Sequence, residues 1–182
     1  MTIRFATGNP HKVAQIAEIL DQPVIQTDID LPEIQAVNVQ EVIEQKARAA
    51  YRMVGEPILV EDTSLCFLAW NGLPGALIKW FLATVGKEGM CQMLSAYEDR
   101  HAIAETYLGY FDGHEFRVFS GKVAGTIADQ PRGNNGFGWD PLFQPDGSDK
   151  TFAEMTPDEA TPFNMRKLAA LQLKEYLEKQ GR

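Results

Sequence analysis

An apolar run, Ile58-Leu59-Val60, leads without a break into two carboxylates and two hydroxyls, Glu61-Asp62-Thr63-Ser64. A buried type of strand tolerates acids only where something cationic meets them, because an ionised carboxylate withdrawn from water without a partner is costly. The usual answers at the end of such a strand are a metal ion or a catalytic cleft. A turn, Gly72-Leu73-Pro74-Gly75, follows, and a lone Lys79 interrupts the next apolar run. The competing reading is a surface turn with solvated charges, and the local pattern does not separate the two.

The rest of the chain supplies the frame. Ile3 to Ala6 reads as a buried strand; Thr7-Gly8-Asn9-Pro10 turns it into a helix over 11–20, with Asn9 as N-cap and Pro10 in the first helical position. Val13, Ile16, Ala17, Ile19 and Leu20 have helical spacing there. A second strand is expected over 23–27, an irregular connection over 28–38, a helix over 39–54, and a third strand over 57–60 that stops at the acidic pair. Helical pieces fit 76–84 and 87–97. From residue 101 the pattern alternates, through Ile103, Glu105, Tyr107, Gly109 and Phe111 and then Phe116, Val118, Gly121, Val123 and Ile127, predicting strands around turns at Asp112-Gly113 and Gly121. A glycine-rich loop over 132–138 and an amphipathic helix over 162–178 complete the chain. Strand–helix–strand units followed by an antiparallel ribbon predict an α/β fold on a mixed sheet.

With 182 residues, 45% of them hydrophobic and 23% charged, one domain over 1–182 with a real core is expected. A net charge of −8, with no basic run longer than Arg166-Lys167, argues against a nucleic-acid polymer as partner. A small nucleotide remains compatible, since a few lysines around a metal can hold a triphosphate. Cys66 and Cys91 lack paired spacing and read as buried thiols in a reducing compartment. His11, His101 and His114 show no metal-ligand spacing. No secretory leader pattern precedes the first strand, and no apolar run is long enough for a membrane span. A soluble cytoplasmic protein is the expectation.

Three segments carry chemistry. Thr7-Gly8-Asn9-Pro10-His11-Lys12 lacks P-loop spacing. It nevertheless brings a glycine turn, a helix N-terminus and a lysine together, a sufficient recipe for holding phosphate oxygens; many α/β proteins also begin this way without that function. Glu33, in the irregular loop behind Pro32, together with Glu61 and Asp62, could supply hard oxygen ligands for Mg²⁺, which takes one or two carboxylates plus phosphates and water; a solvated loop glutamate is the plainer alternative. In Gly133-Asn134-Asn135-Gly136-Phe137-Gly138-Trp139-Asp140-Pro141, packing can explain Trp139. Phe137 lies between glycines that offer it little to pack against, so its ring suits a planar ligand; stacking on a base contributes about 1–3 kcal/mol.

Taken together these segments resemble the inosine/xanthosine triphosphate pyrophosphatases, the HAM1-like family acting on non-canonical purine nucleotides. The matching stretches are Ala6-Thr-Gly-Asn-Pro-His-Lys12, Leu31-Pro-Glu-Ile-Gln35, Ile43-Glu-Gln-Lys46, Val60-Glu-Asp-Thr-Ser-Leu-Cys-Phe67, Gly72-Leu-Pro-Gly75 and Ile78-Lys-Trp-Phe-Leu82. Phe119-Ser-Gly121 with Gly125 and Ile127, Gly136-Phe-Gly-Trp-Asp-Pro141 and Thr151-Phe-Ala-Glu-Met155 continue them in collinear order. The resemblance implies an elongated mixed sheet with flanking helices, two lobes around a central active-site cleft, and a homodimer. It also implies hydrolysis of inosine, deoxyinosine and xanthosine triphosphates to monophosphate and pyrophosphate with Mg²⁺. Carried over by position, Asp62 becomes the proton acceptor and a metal ligand, Glu33 the second metal ligand and Glu61 a supporting acid. Thr7, Gly8, Asn9, Lys12, Lys46, Thr63 and Lys79 become triphosphate contacts, and Phe137, Gly138, Trp139 and Asp140 the loop that stacks on and orients the base.

One part of the family pattern is altered. Where it usually has Lys-Asn and then Ser-His-Arg, this chain has Ala160-Thr161 and then Asn164-Met165-Arg166, so only Arg166 remains of the base-reading cations. Changed base specificity, a pyrophosphatase for other damaged nucleotides, and a silent nucleotide-binding protein are therefore the alternatives; retention of Asp62, Glu33, Lys12 and Lys79 argues against the last. Ala160 offers no side-chain donor and Met165 only a weak sulfur acceptor. Ala160→Lys combined with Met165→His is expected to raise kcat/KM for inosine over adenosine triphosphate by about one to two decades for each restored charge-assisted bond. Steady-state kinetics on both nucleotides check this, and an unchanged ratio would place base reading in other residues.

Overall fold

A computed structural model describes residues 3–181. The first turn forms as its residues dictate. Asn9 Oδ1 accepts the His11 amide at 2.9 Å, with Pro10 leading α1 (Pro10–Leu20). Asn38 caps α2 (Val39–Val54) in the same way, through the Gln40 amide at 2.9 Å, and Gly55 closes that helix in the left-handed region. The strands are β1 (Ile3–Ala6), β2 (Val24–Thr27), β3 (Ile58–Phe67), β4 (Pro74–Gly75), β5 (His101–Phe111), β6 (Phe116–Ile127) and β7 (Phe143–Pro145). They form one mixed, open sheet in the order β2-β1-β3-β5-β6-β7, with β4 beside β3. The helices α3 (Ile78–Thr84), α4 (Gly86–Leu94), α5 (Pro157–Ala160) and α6 (Met165–Lys179) complete the α/β fold expected from the pattern.

The chain divides into two compact units. One comprises the residues up to Thr63, Thr106–Gly121 and the segment from Met165 onward; the other comprises Ser64–Glu105 and Lys122–Asn164. In the first unit β1 pairs in parallel with β2 on one side and β3 on the other. The chain therefore reverses direction at β1, and right-handed crossovers then put α1 and α2 on opposite faces of the sheet. Ile3, Phe5 and Leu59 pack under α1 and α6 with Ile16, Leu20, Ala169, Ala170, Leu173 and Leu177. On the other face Gly109 of β5 lies so close to Ile43 of α2 and Val60 of β3 that a Cβ would stand 2.9 and 3.1 Å from their side chains.

The second unit has its own core, including Phe67, Met90, Leu94, Leu142, Phe143 and Ala153. Its buried acid, Glu105, is matched by the Ser64 hydroxyl at 2.8 Å and by Lys122 at 2.6 Å. Arg100 closes the base of the β5–β6 hairpin by donating to the Ile127 and Ala128 carbonyls at 2.8 and 2.6 Å.

Three expectations are corrected. β3 does not stop at the acidic pair: parallel pairing with β1 ends at Ala6 and Val60, and the strand runs on to Phe67, where Leu65 and Cys66 pair antiparallel with β4. Gly121 is no turn but lies inside β6. The last helix starts only at Met165: Thr156 and Glu159 form a capping box that begins a separate short helix, α5, and Pro162 falls in a 3-10 turn between the two. β7 had no signal of its own in the sequence.

Gly121 is glycine because α6 begins on top of it. A Cβ there would lie 1.9 Å from the Met165 carbonyl oxygen and 2.8 Å from Leu168 Cβ. Gly121→Val is accordingly expected to destabilise the protein by about 1–3 kcal/mol or more. Urea unfolding measures it, and a wild-type midpoint would mean that α6 does not seat on β6 there.

Candidate active site

Consecutive residues of a strand point to opposite faces of the sheet, and this separates the acidic pair. Glu61 continues the stripe of Leu59 and faces α1 and α6. Its side chain is 2% exposed and meets Lys12 Nζ at 2.8 Å and Arg166 Nε at 2.5 Å. Arg166 Nη2 donates to the second Glu61 oxygen at 3.0 Å, and its Nη1 donates to Gln15 Oε1 at 2.7 Å. Burial opposes ionisation of Glu61, but the Arg166 and Lys12 charges win and hold its carboxyl below the ordinary glutamate value.

Asp62 continues the stripe of Val60 and faces α2. Burial raises its carboxyl above the ordinary aspartate value; Lys46 and the Thr63 amide, which donates to Asp62 Oδ1 at 2.9 Å, pull the other way, while the Glu33 charge adds to the rise. Lys46 Nζ sits 2.5 Å from Glu33 Oε1 and donates to the Glu61 backbone carbonyl at 3.2 Å. The loop glutamate, the helix lysine and the strand aspartate thus form one electrostatic group. Burial and a neighbouring acid together make Asp62 titrate above its usual range, a perturbation common among catalytic carboxylates.

Asp62 and Glu33 are hard oxygen donors close enough to sense each other's charge, a set that suits Mg²⁺ with phosphate and water completing its shell. Glu61 does not join them: its oxygens are occupied by Lys12 and Arg166 on the other face of β3. Among the described residues no group of three His, Cys, Asp or Glu side chains is arranged around one point. In this structure Glu61 is the holder of two cations, and the expected metal pair reduces to Asp62 and Glu33.

The turn after β1 adjoins both. Since Ala6 is in register with Val60, Thr7 follows one strand where Glu61 follows the other. Thr7 Oγ1 accepts the Asn9 amide at 3.1 Å, which tightens the turn ahead of α1. Gly8 is exposed beside Asp28, and Lys12 stands in the first turn of α1. The site occupies the place where the strand order reverses, at the carboxyl ends of β1 and of the parallel part of β3, where open α/β sheets bind ligands. Thr7, Gly8, Asn9, Lys12, Glu33, Lys46, Asp62, Thr63 and Arg166 all belong to this unit.

Lys79 and the aromatic loop belong to the other unit. Lys79 is exposed on α3, with Nζ 5.6 Å from the centre of the Trp80 ring. Phe137 is 77% exposed, whereas Trp139 is only 8% exposed and packs on Phe143 and Phe152 at 5.9 and 6.1 Å between ring centres. Trp139 is therefore a core residue, and the free ring of the loop is Phe137. Asp140 Oδ2 accepts the Phe137 amide at 2.8 Å, and Phe137's carbonyl accepts the Asp140 amide at 3.1 Å. That staple requires Gly136, whose φ is +72° and whose Cβ would fall 2.1 Å from Asp140 Oδ2. Burial pushes the Asp140 carboxyl up, against the Phe137 amide. Gly138 lies against Leu82 of α3.

A Ham1 family profile matches residues 3–176. The chain belongs to the Ham1 family. It is 44% identical to the inosine triphosphate pyrophosphatase of Schizosaccharomyces pombe over 97% of this chain and 95% of that one. It is 42% identical to the protein of that name from Fusarium vanettenii, over 98% and 97%. Among solved structures, the Staphylococcus aureus Ham1 protein superposes with a TM-score of 0.85 at 27% identity, over 99% of this chain and all of that one. A Mycobacterium abscessus nucleoside-triphosphatase, a dITP/XTP pyrophosphatase, gives 0.77 at 31%, covering 94% and 98%.

One Ham1-site contact escaped the sequence reading. Gln15 follows Lys12 by three positions on α1, which puts both on one helix face, and that spacing was the available signal. The contrast within the aromatic loop yields a direct check. Trp139→Ala is expected to cost about 3–5 kcal/mol of stability, as for other buried aromatics, and Phe137→Ala no more than about 0.5 kcal/mol. Denaturant unfolding of the two variants tests this, and equal losses would mean that Phe137 supports the loop instead of standing free.

Proposed function

We propose that this chain hydrolyses non-canonical purine nucleoside triphosphates, of the inosine, deoxyinosine and xanthosine type, to the monophosphate and pyrophosphate, with Mg²⁺. The observation that carries the reading is the half-buried Asp62 beside Lys46 and Glu33, on the strand next to a phosphate-type turn. Water is a weak nucleophile and a triphosphate repels anions, so the reaction needs a base, a counter-charge and a fixed phosphate chain.

This chain's residues divide the work. Asp62, raised by burial, accepts the proton of the attacking water. Asp62 and Glu33 are the residues that would hold Mg²⁺, which when bound neutralises phosphate charge and polarises the phosphorus centre. Lys46 pairs with Glu33, and its charge also acts on Asp62, before substrate arrives. The amides of the Thr7–Asn9 turn, Lys12 and Thr63 hold phosphate oxygens, and the family resemblance gives Lys79 the same task. Phe137 stacks on the base, with Asp140 holding its loop, and Arg166 reads the base. The resemblance further supports a homodimer, a cytoplasmic location and action of residues 1–182 as one pyrophosphatase domain. Among the described residues no helix is long and apolar enough to cross a membrane.

Incubation with a nucleotide panel and Mg²⁺ should release pyrophosphate, and in ¹⁸O-water the label should enter the monophosphate. Orthophosphate as first product, or label confined to pyrophosphate, would refute attack at the α-phosphorus. Asp62→Asn should fold normally and lose about 10²–10⁴-fold in kcat, the usual loss for a general base. A near-normal kcat at saturating Mg²⁺ would assign the base elsewhere.

A further inference from the structure

Lys12 and Arg166 both stand in the first turn of a helix, α1 and α6, where the helix dipole disfavours cations. The buried Glu61 carboxylate offsets this, and two cations around one acid leave the cluster positive, as a polyanionic substrate requires. The Glu61 contact fixes only one edge of the guanidinium, through Nε and Nη2. A planar fork gripped along one edge can still swing about that edge. The remaining nitrogen, Nη1, is held by Gln15 Oε1 at 2.7 Å, across 151 residues of chain. Gln15 reaches it because α1 and α6 pack together and because Lys12 and Gln15 share one helix face. As a neutral acceptor it adds the third bond without cancelling the positive charge that a second carboxylate would remove.

We propose that Gln15 is a positioning residue for the pyrophosphatase reaction, acting through Arg166: it sets the plane of the guanidinium before the nucleotide binds. This rests on the reading of Arg166 as a substrate contact. Preorganising such a group removes an ordering cost from the transition state, so its loss is expected in kcat/KM and not in global stability. Gln15 is exposed, and no core residue depends on it.

A double-mutant cycle tests the inference. Gln15→Ala is expected to lower kcat/KM for inosine triphosphate by about 3- to 10-fold, the worth of one solvent-exposed hydrogen bond to a cation. Its urea midpoint should stay at the wild-type value. In an Arg166→Ala background the same change should have no further effect. Gln15→Glu, which keeps an acceptor oxygen at that reach but cancels the surplus charge, should recover the loss only in part, with kcat/KM between those of Gln15→Ala and the wild type. Equal losses in both backgrounds, or no loss in the wild-type background, would overturn the proposal. Arg166→Lys serves as the second background if Arg166→Ala does not fold, since an ammonium can stay with Glu61 but cannot span to Gln15. The base-reading role itself is tested by the ratio of inosine to adenosine triphosphate activity in the Arg166 variant. An unchanged ratio refutes that role, while the cycle still decides whether Gln15 acts through Arg166.

Discussion

The Glu61 carboxylate, nearly out of water and gripped by Lys12 and Arg166, is the interaction on which the site depends. A charge that deeply placed is tolerable only because both oxygens are met by cations from two different helices. The same contacts join β3 to α1 and to α6, the helices that cover the core formed by Phe5, Leu59, Leu173 and their neighbours. The buried pair is thus a structural joint and an electrostatic device at once. Its surplus positive charge lies beside the turn where β1 gives way to α1.

The alternation of a β-strand does the rest. Glu61 and Asp62 are covalent neighbours, yet one meets two cations under α1 and α6 and the other lies with Lys46 and Glu33 under α2. Two acids side by side on one face would compete for the same metal and lysines. On opposite faces they take opposite perturbations: cations draw the Glu61 carboxyl down, and burial with the Glu33 charge pushes the Asp62 carboxyl up. Two adjacent carboxylates thereby acquire two environments without any difference in backbone.

The aromatic loop follows a similar economy. Phe137 stands out in solvent while Trp139, two residues on, anchors the loop in an aromatic cluster with Phe143 and Phe152. Asp140 then folds back on the Phe137 amide through a glycine that leaves it room. A ring held out by a packed neighbour and a backbone staple can remain exposed and still be oriented.

Much of this was legible in the residues. The cap at Asn9, the ranges of α1 and α2, the strands at Ile3 and Val24, the Asp112-Gly113 hairpin and the exposed Phe137 all follow from local rules: N-cap chemistry, helical spacing, alternation and turn residues. The acids of β3 announced a site because charge at the end of an apolar strand demands a partner. Which partner met which acid was not local. That Glu61 belongs to Lys12 and Arg166, and Asp62 to Lys46 and Glu33, depends on the reversal of strand order at β1 and the handedness of the crossovers, which put α1 and α2 on opposite faces. The length of β3, the strand character of Gly121 and the late start of α6 were likewise settled by neighbours. β4 extends pairing past the acids, and α6 presses on a strand that only glycine allows it to approach. Spacing along the chain determined the elements and the reactive residue types; the pairing of charges was decided by topology, because an ion pair forms between faces of a fold and not between positions in a sequence.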